Sequence, residues 1–166
     1  MPALELRPVE YENKVILGNL LQFYRYDFSV YDEEDVNPHG LFNYRYLDAY
    51  WYEYGRYPYF IMCDGQYIGF SLVRHGAYHF QQQQHDADIV SLAEFFIMKR
   101  YRRKGLGREA AHQTFNLMDG LWQVNTPTNN TPARQFWEQT IQIYTKDNYT
   151  TITRDDEVVW YFDNRK

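Results

Sequence analysis

Apolar residues recur along this chain at two spacings, and those spacings lay out its elements. From Glu12 to about Phe28, Ile16, Leu17, Leu20, Leu21, Tyr24 and Phe28 repeat every three or four positions, which predicts an amphipathic helix. Residues 3–8 alternate weakly and suit a first strand. Tyr57–Cys63 and Tyr67–Arg74 are apolar runs separated by Asp64-Gly65, a pair that supplies the positive φ angles of a tight hairpin. Ile89–Met98 is β-branched, aromatic and aliphatic throughout and predicts a buried strand. A broad apolar face on Leu106, Ala110, Ala111, Phe115 and Met118 predicts a helix over 106–118. A short strand at Trp122–Val124, a short helix at Ala133–Ile141 and two late strands, Tyr149–Thr153 and Val158–Phe162, complete the pattern.

Between these elements, residues 29–45 are rich in Asp, Glu, Asn, Pro and Gly and read as a loop, followed by a short helix near 46–54. Four glutamines between His79 and His85 read as a second loop. His79, His85 and Asp86 have no spacing that fixes a coordination geometry, so no metal is expected there. Strands interleaved with helices, with hairpins at several joints, predict an α/β (α+β layered) domain spanning 1–166: a mixed, mostly antiparallel central sheet flanked by helices. A chain of 166 residues fits one domain.

Composition adds a compartment and excludes some partners. The lone Cys63 cannot form an internal disulfide, which agrees with a reducing, cytoplasmic setting. No apolar run is long enough to span a bilayer, and residues 1–14 lack the apolar core of a signal peptide, so no membrane partner is expected. A net charge of −5 argues against nucleic acid as a partner. The charge is uneven, however. Residues 99–108, KRYRRKGLGR, carry six of the 17 basic side chains and no acid. A basic segment concentrated in an acidic protein suits a small polyanion, or is merely a solvated run.

Two glycines inside that run favour the polyanion. Gly105 and Gly107 stand where a buried strand gives way, through a basic turn, to a helix. First-turn amides of a helix have no intrahelical acceptor and point at an anion, and glycine lets phosphate approach the backbone. Arg102, Arg103, Lys104 and Arg108 add charge-assisted bonds. The nucleoside-triphosphatase loop is excluded because neither glycine is followed by Lys-Ser/Thr, and the dinucleotide fingerprint because a third glycine is missing.

Arg102-x-x-Gly105-x-Gly107 resembles the pyrophosphate motif of the GNAT acetyltransferase superfamily. Ile97 stands ten residues before Gly107, as the family's strand requires, and Asn130, Ala133, Phe136 and Trp137 are similar to its Asn-x-x-Ala-x-x-Phe-aromatic helix. The resemblance covers residues 89–141 and implies an acetyl-CoA-dependent N-acetyltransferase. In it, amides around Phe95, Phe96 and Ile97 pair with the pantetheine arm, residues Arg102, Arg103, Lys104, Gly105, Leu106, Gly107 and Arg108 cradle the pyrophosphate, and Asn130, Phe136 and Trp137 border the coenzyme.

Acetyl transfer to an amine also needs a base and a proton source for the thiolate. Glu94, three residues before Ile97, is where many relatives carry a Glu; it is either the base or a carboxylate bonded to a neighbouring element. Many relatives place a Tyr at 137. Trp137 has no acidic hydroxyl, leaving water or a tyrosine such as Tyr144. Asn125 stands where some relatives have a second Glu. The acceptor, a small-molecule amine or a protein amino group, is not specified, although the acidic residues Asp32, Glu33, Glu34 and Asp35 suit a cation. A homodimer is compatible with this reading. A non-catalytic acyl-CoA-binding module, or an interaction domain built on the aromatic segment 23–60, is the alternative function class.

Overall fold

The computed structural model describes residues 2–79, 82 and 84–166. Its elements run β1 (Leu4–Pro8), a 3-10 turn (Tyr11–Asn13), α1 (Lys14–Asp32), α2 (Ala49–Tyr52), β2 (Arg56–Cys63), β3 (Gln66–His75), β4 (Tyr78–His79), β5 (Gln84–His85), β6 (Ile89–Ile97), a 3-10 turn (Lys99–Tyr101), α3 (Leu106–Phe115), β7 (Leu121–Pro127), α4 (Thr131–Thr145), β8 (Thr150–Arg154) and β9 (Glu157–Asp163). Among the described residues, seven strands form one sheet in the order β1-β2-β3-β6-β7-β9-β8. Only β6 and β7 run parallel; every other neighbouring pair is antiparallel. The mixed, mostly antiparallel sheet flanked by helices is the architecture expected from the sequence.

The turns follow local chemistry. Asp64 and Gly65 both have positive φ, as do Asp155 and Asp156 between β8 and β9, so each pair forms a two-residue hairpin loop matched to strand twist. α1 continues a full turn beyond the expected end, through Asp32. Arg25 bonds to Asp32 at 2.6 Å and also to Glu34, and Glu33 closes the helix in the left-handed conformation with its N–H donating to Ser29 O at 2.9 Å. Local polarity predicted a loop at 29–32; these side-chain ties keep it helical. β7 and α4 are likewise longer than their apolar cores, whereas α3 ends at Phe115 rather than Met118. The expected loop at 79–86 falls partly outside the described residues; its ends pair as β4 and β5.

Helices cover the two faces of the sheet. On one, α1 and α2 lay Leu17, Leu20, Leu21 and Tyr50 over Phe60, Met62, Phe70, Leu72 and Phe96. On the other, α3 and α4 bury Ala111, Phe115, Trp137 and Ile141 against Val73, Val90, Leu92, Trp122, Val124 and Trp160. Side chains alternate between these faces along a strand, but β6 breaks the alternation. Its register against β3 jumps from Leu72↔Glu94 to Val73↔Leu92, leaving Ala93 as a bulge. Leu92 therefore points to the α3/α4 side, and Glu94, two residues on, to the α1 side.

Candidate active site

The bulge at Ala93 coincides with a parting of the strands. β6 pairs with β7 only from Ile89↔Leu121 to Leu92↔Val124, so past that point the two diverge. The Met98 N–H donates to Ile68 O at 2.8 Å, fixing which amides of β6 face β3. By alternation, the Phe95 and Ile97 N–H groups face the opposite edge, where β7 has moved away. An extended ligand can add there as a strand would. Phe96 corrects the sequence expectation: its amide faces Phe70 and its ring is buried under α1, so it does not border the opening. Gly69 explains how β3 comes so close. A Cβ at that position would sit 1.8 Å from Phe96 O, so only glycine permits the pairing.

Between the diverging strands lies a cavity of about 240 Å³, walled by Tyr24 and Phe28 of α1, Ala93–Phe95, Asn125–Pro127, and Trp137 of α4. Glu94 opens into it and accepts a hydrogen bond from the Tyr24 hydroxyl. Burial lifts the Glu94 carboxyl to about 7, with the Tyr24 bond and the Arg25 charge pulling the other way. Tyr24 itself is held well above the usual phenol range, by burial first and by the adjacent Glu94 charge second. A carboxylate near neutrality is the species a general base requires.

A second carboxylate on the same wall was not singled out from the sequence. Glu157 of β9 sits opposite Pro127 in the register and accepts from Asn125 Nδ2 at 3.3 Å. Burial raises its carboxyl, with the Asn125 bond opposing. Asn125 thus holds a carboxylate supplied by the neighbouring strand. Nothing in the local pattern at 155–159 distinguishes Glu157 from hairpin polarity, and Tyr24 is one of 17 tyrosines; only strand pairing brings them to the cavity.

The basic turn leaves its amides and its cationic side chains open to solvent. Arg103 and Gly105 both adopt left-handed backbone, at φ 58° and 80°, and Gly105 caps α3 with no side-chain bond to the free amides. Among the described residues, no acceptor engages the N–H groups of residues 103–108, and Arg103, Lys104 and Arg108 are exposed without ion-pair partners. Leu106 plugs the start of α3 into a core with Ile97 and Ala110. Gly107 differs from Gly105 in its reason. A Cβ there would lie 3.3 Å from the Phe136 ring, so this glycine lets α4 pack on α3, whereas a Cβ at Gly105 would meet only open space. Phe136 in turn stacks on Phe95 with ring centroids 6.1 Å apart.

Arg102 departs from expectation. Its Nε donates to Ile97 O at 2.6 Å and its guanidinium pairs with Asp27 at 2.5 Å, so it braces the turn against β6 and α1 and is not free for phosphate. The acidic segment after α1 is also partly spent, since Asp32 and Glu34 share Arg25. Asn130 caps α4, accepting from the Ala133 N–H at 3.2 Å, and lines the cavity. Trp137 is buried against Phe95 and Phe136 and lines the cavity.

Tyr144 is the clear correction. It lies seven residues beyond Trp137, about 10 Å further along α4 at the rise of an α-helix. Its hydroxyl donates to Asn116 Oδ1 at 2.8 Å and its ring packs on Phe115 and Phe162. It does not reach the cavity. Among the described residues, no group of His, Cys, Asp and Glu is arranged to hold a metal, and no helix is long and apolar enough to cross a membrane.

Comparison with known proteins places the chain in a family. The model of the acetyltransferase (GNAT) family matches residues 21–141. No curated protein matches the sequence. Among solved structures, an acetyltransferase from Thermus thermophilus is similar over 96% of this chain and 95% of that one, at 17% identity and a TM-score of 0.70. An aminoglycoside acetyltransferase solved with coenzyme A is similar over 98% and 95%, at 15% identity and a TM-score of 0.68. A spermidine N-acetyltransferase from Vibrio cholerae, with CoA and spermine, is similar over 96% and 95%, at 13% identity and a TM-score of 0.62. At such identities these structures speak for the fold alone, but the family model spans most of the chain, from the helix carrying Tyr24 to the helix carrying Trp137: the chain belongs to the GNAT acetyltransferase family.

Proposed function

We propose that this protein transfers an acetyl group from acetyl-CoA to a primary amine, by direct attack within a ternary complex. The observation that carries the reading is the placement of Glu94. Its carboxyl, near 7, opens into the gap beside the unpaired amides of Phe95 and Ile97, where a thioester entering from the basic turn would end. The coenzyme's diphosphate would rest on the free amides of residues 103–108 with Arg103, Lys104 and Arg108. Asn130 and Trp137 would border its arm.

An alkylamine arrives as an ammonium with a pKa of about 10.4 and must lose a proton before its lone pair can attack. Glu94 accepts that proton more readily near 7 than an ordinary carboxylate near 4.5 would. The nitrogen then forms the C–N bond, the carbonyl oxygen gains charge against a β6 amide, and the C–S bond breaks. The thiolate leaves with a proton. Tyr144 is too far away to give it; the attacking nitrogen, left with one proton too many once the C–N bond forms, gives it directly or through water, while Glu94 keeps the first proton. The solved relatives that act on an aminoglycoside and on spermidine are consistent with an amine acceptor.

Calorimetry with acetyl-CoA, followed by thiol release against a panel of amines, tests the proposal. Saturable binding and turnover on at least one amine are expected. Binding with no turnover on any amine would leave a coenzyme-binding module instead.

A further inference from the structure

The cavity wall carries two acids and no basic side chain, and the mechanism uses only one of them. Glu94 and Glu157 both line it, together with Tyr24, Phe28 and Trp137. The cation whose charge acts on Glu94, Arg25, belongs to α1 and is bonded to Asp32 and Glu34. Glu157 has no ion-pair partner among the described residues; its side chain is held by Asn125, whose backbone pairs with Val159 two residues along β9. A half-buried carboxylate held by a neutral amide, on the wall of a substrate cavity, is short of a positive charge.

We infer that Glu157, oriented by Asn125, is a specificity-determining residue that binds a second ammonium group of the acceptor, so that the substrate class is a diamine or polyamine acetylated at one end. The inference rests on the acetyltransferase reading above. One nitrogen of the acceptor loses its proton to Glu94 and attacks the thioester; the other stays protonated and sits on Glu157. The two carboxylates stand on different strands, β6 and β9, with β7 between them; while Glu94 holds the proton of the attacking nitrogen, Glu157 is left to a second nitrogen, joined to the first by a short aliphatic chain against Phe28. Burial lifts both carboxyls, and each would fall back when a cation enters. Glu157 touches the acceptor's far end and does not take part in the proton transfer.

The test compares acceptors that differ in one charge. Wild-type protein is assayed by thiol release with n-butylamine and with a series of linear diamines running through putrescine, alongside Glu157→Gln and Asn125→Ala. A diamine is expected to exceed n-butylamine in kcat/KM by roughly tenfold or more, the scale of one charge-assisted hydrogen bond. Glu157→Gln is expected to remove that advantage through KM, leaving kcat on the diamine and kcat/KM on n-butylamine within about twofold, with acetyl-CoA affinity unchanged by calorimetry. Asn125→Ala should give a smaller loss in the same direction. Equal use of n-butylamine and every diamine by the wild type overturns the inference without touching the acetyltransferase reading, and needs no variant to fold. A fall in kcat on every amine in Glu157→Gln also overturns it, since Glu157 would then be the base. No turnover on any amine refutes the acetyltransferase reading itself.

Discussion

Replacing Glu94 by Gln separates the cost of holding a carboxyl in the cavity from its use in catalysis. The carboxyl moves from 4.5 to about 7 because burial disfavours its charge. At 1.36 kcal/mol per pH unit, that gap amounts to about 3 kcal/mol of stability given up when the group ionises in the folded state. The sign follows from proton linkage. Between 4.5 and 7 the folded protein holds this proton more tightly than the unfolded chain, so stability is greatest below 4.5, declines as pH rises, and levels off above 7. Gln cannot ionise, yet its amide oxygen still accepts from the Tyr24 hydroxyl, so Glu94→Gln should lack that decline. Urea denaturation of both proteins at about pH 5 and about pH 8 reads the difference. The variant should gain about 2–3 kcal/mol on the wild type between the two conditions, which is roughly 1–2 M in midpoint for a typical urea slope. Turnover should fall by about two to four orders of magnitude, the usual contribution of a general base, while acetyl-CoA binding is retained. Parallel stability profiles for the two proteins, or an active variant, would refute the reasoning.

The other predictions concern the cradle and the excluded tyrosine. Gly105→Ala should lower stability by about 1–2 kcal/mol, because an L residue is forced into the left-handed region, and should weaken acetyl-CoA binding in calorimetry because the new methyl projects into the open space before the free amides. Unchanged affinity would place the diphosphate elsewhere. Tyr144→Phe should leave kcat within about twofold, since its hydroxyl bonds Asn116 away from the cavity; a loss above about tenfold, against the scale of a positioned acid, would restore it as a proton donor.

What was legible in the chain was legible because it is local. The Asp64-Gly65 turn, the apolar run of β6 and the glycines of the basic turn each act on backbone within a few residues. Their positions follow from conformational preference, capping and period. Glu94 could be nominated only through the family resemblance, from its place three residues before Ile97. Its face could not, because strand alternation puts it beside Leu92, and only the Ala93 bulge turns it toward α1. Arg102 looked equivalent to Arg103 in the sequence; Asp27, 75 residues earlier, pairs with Arg102 and leaves Arg103 exposed.

The sequence by itself determined the order of the elements, a mixed layered fold and the glycine-containing basic turn before α3, since all of these depend on neighbours in the chain. Tertiary structure alone decided what lines the cavity between β6 and β7. Tyr24, Glu94, Asn125 and Glu157 lie on α1, β6, β7 and β9, and they share a wall because β6 and β7 part after Leu92 and Val124. Strand pairing is a long-range choice made by burial of whole faces, so no window along the chain contains it.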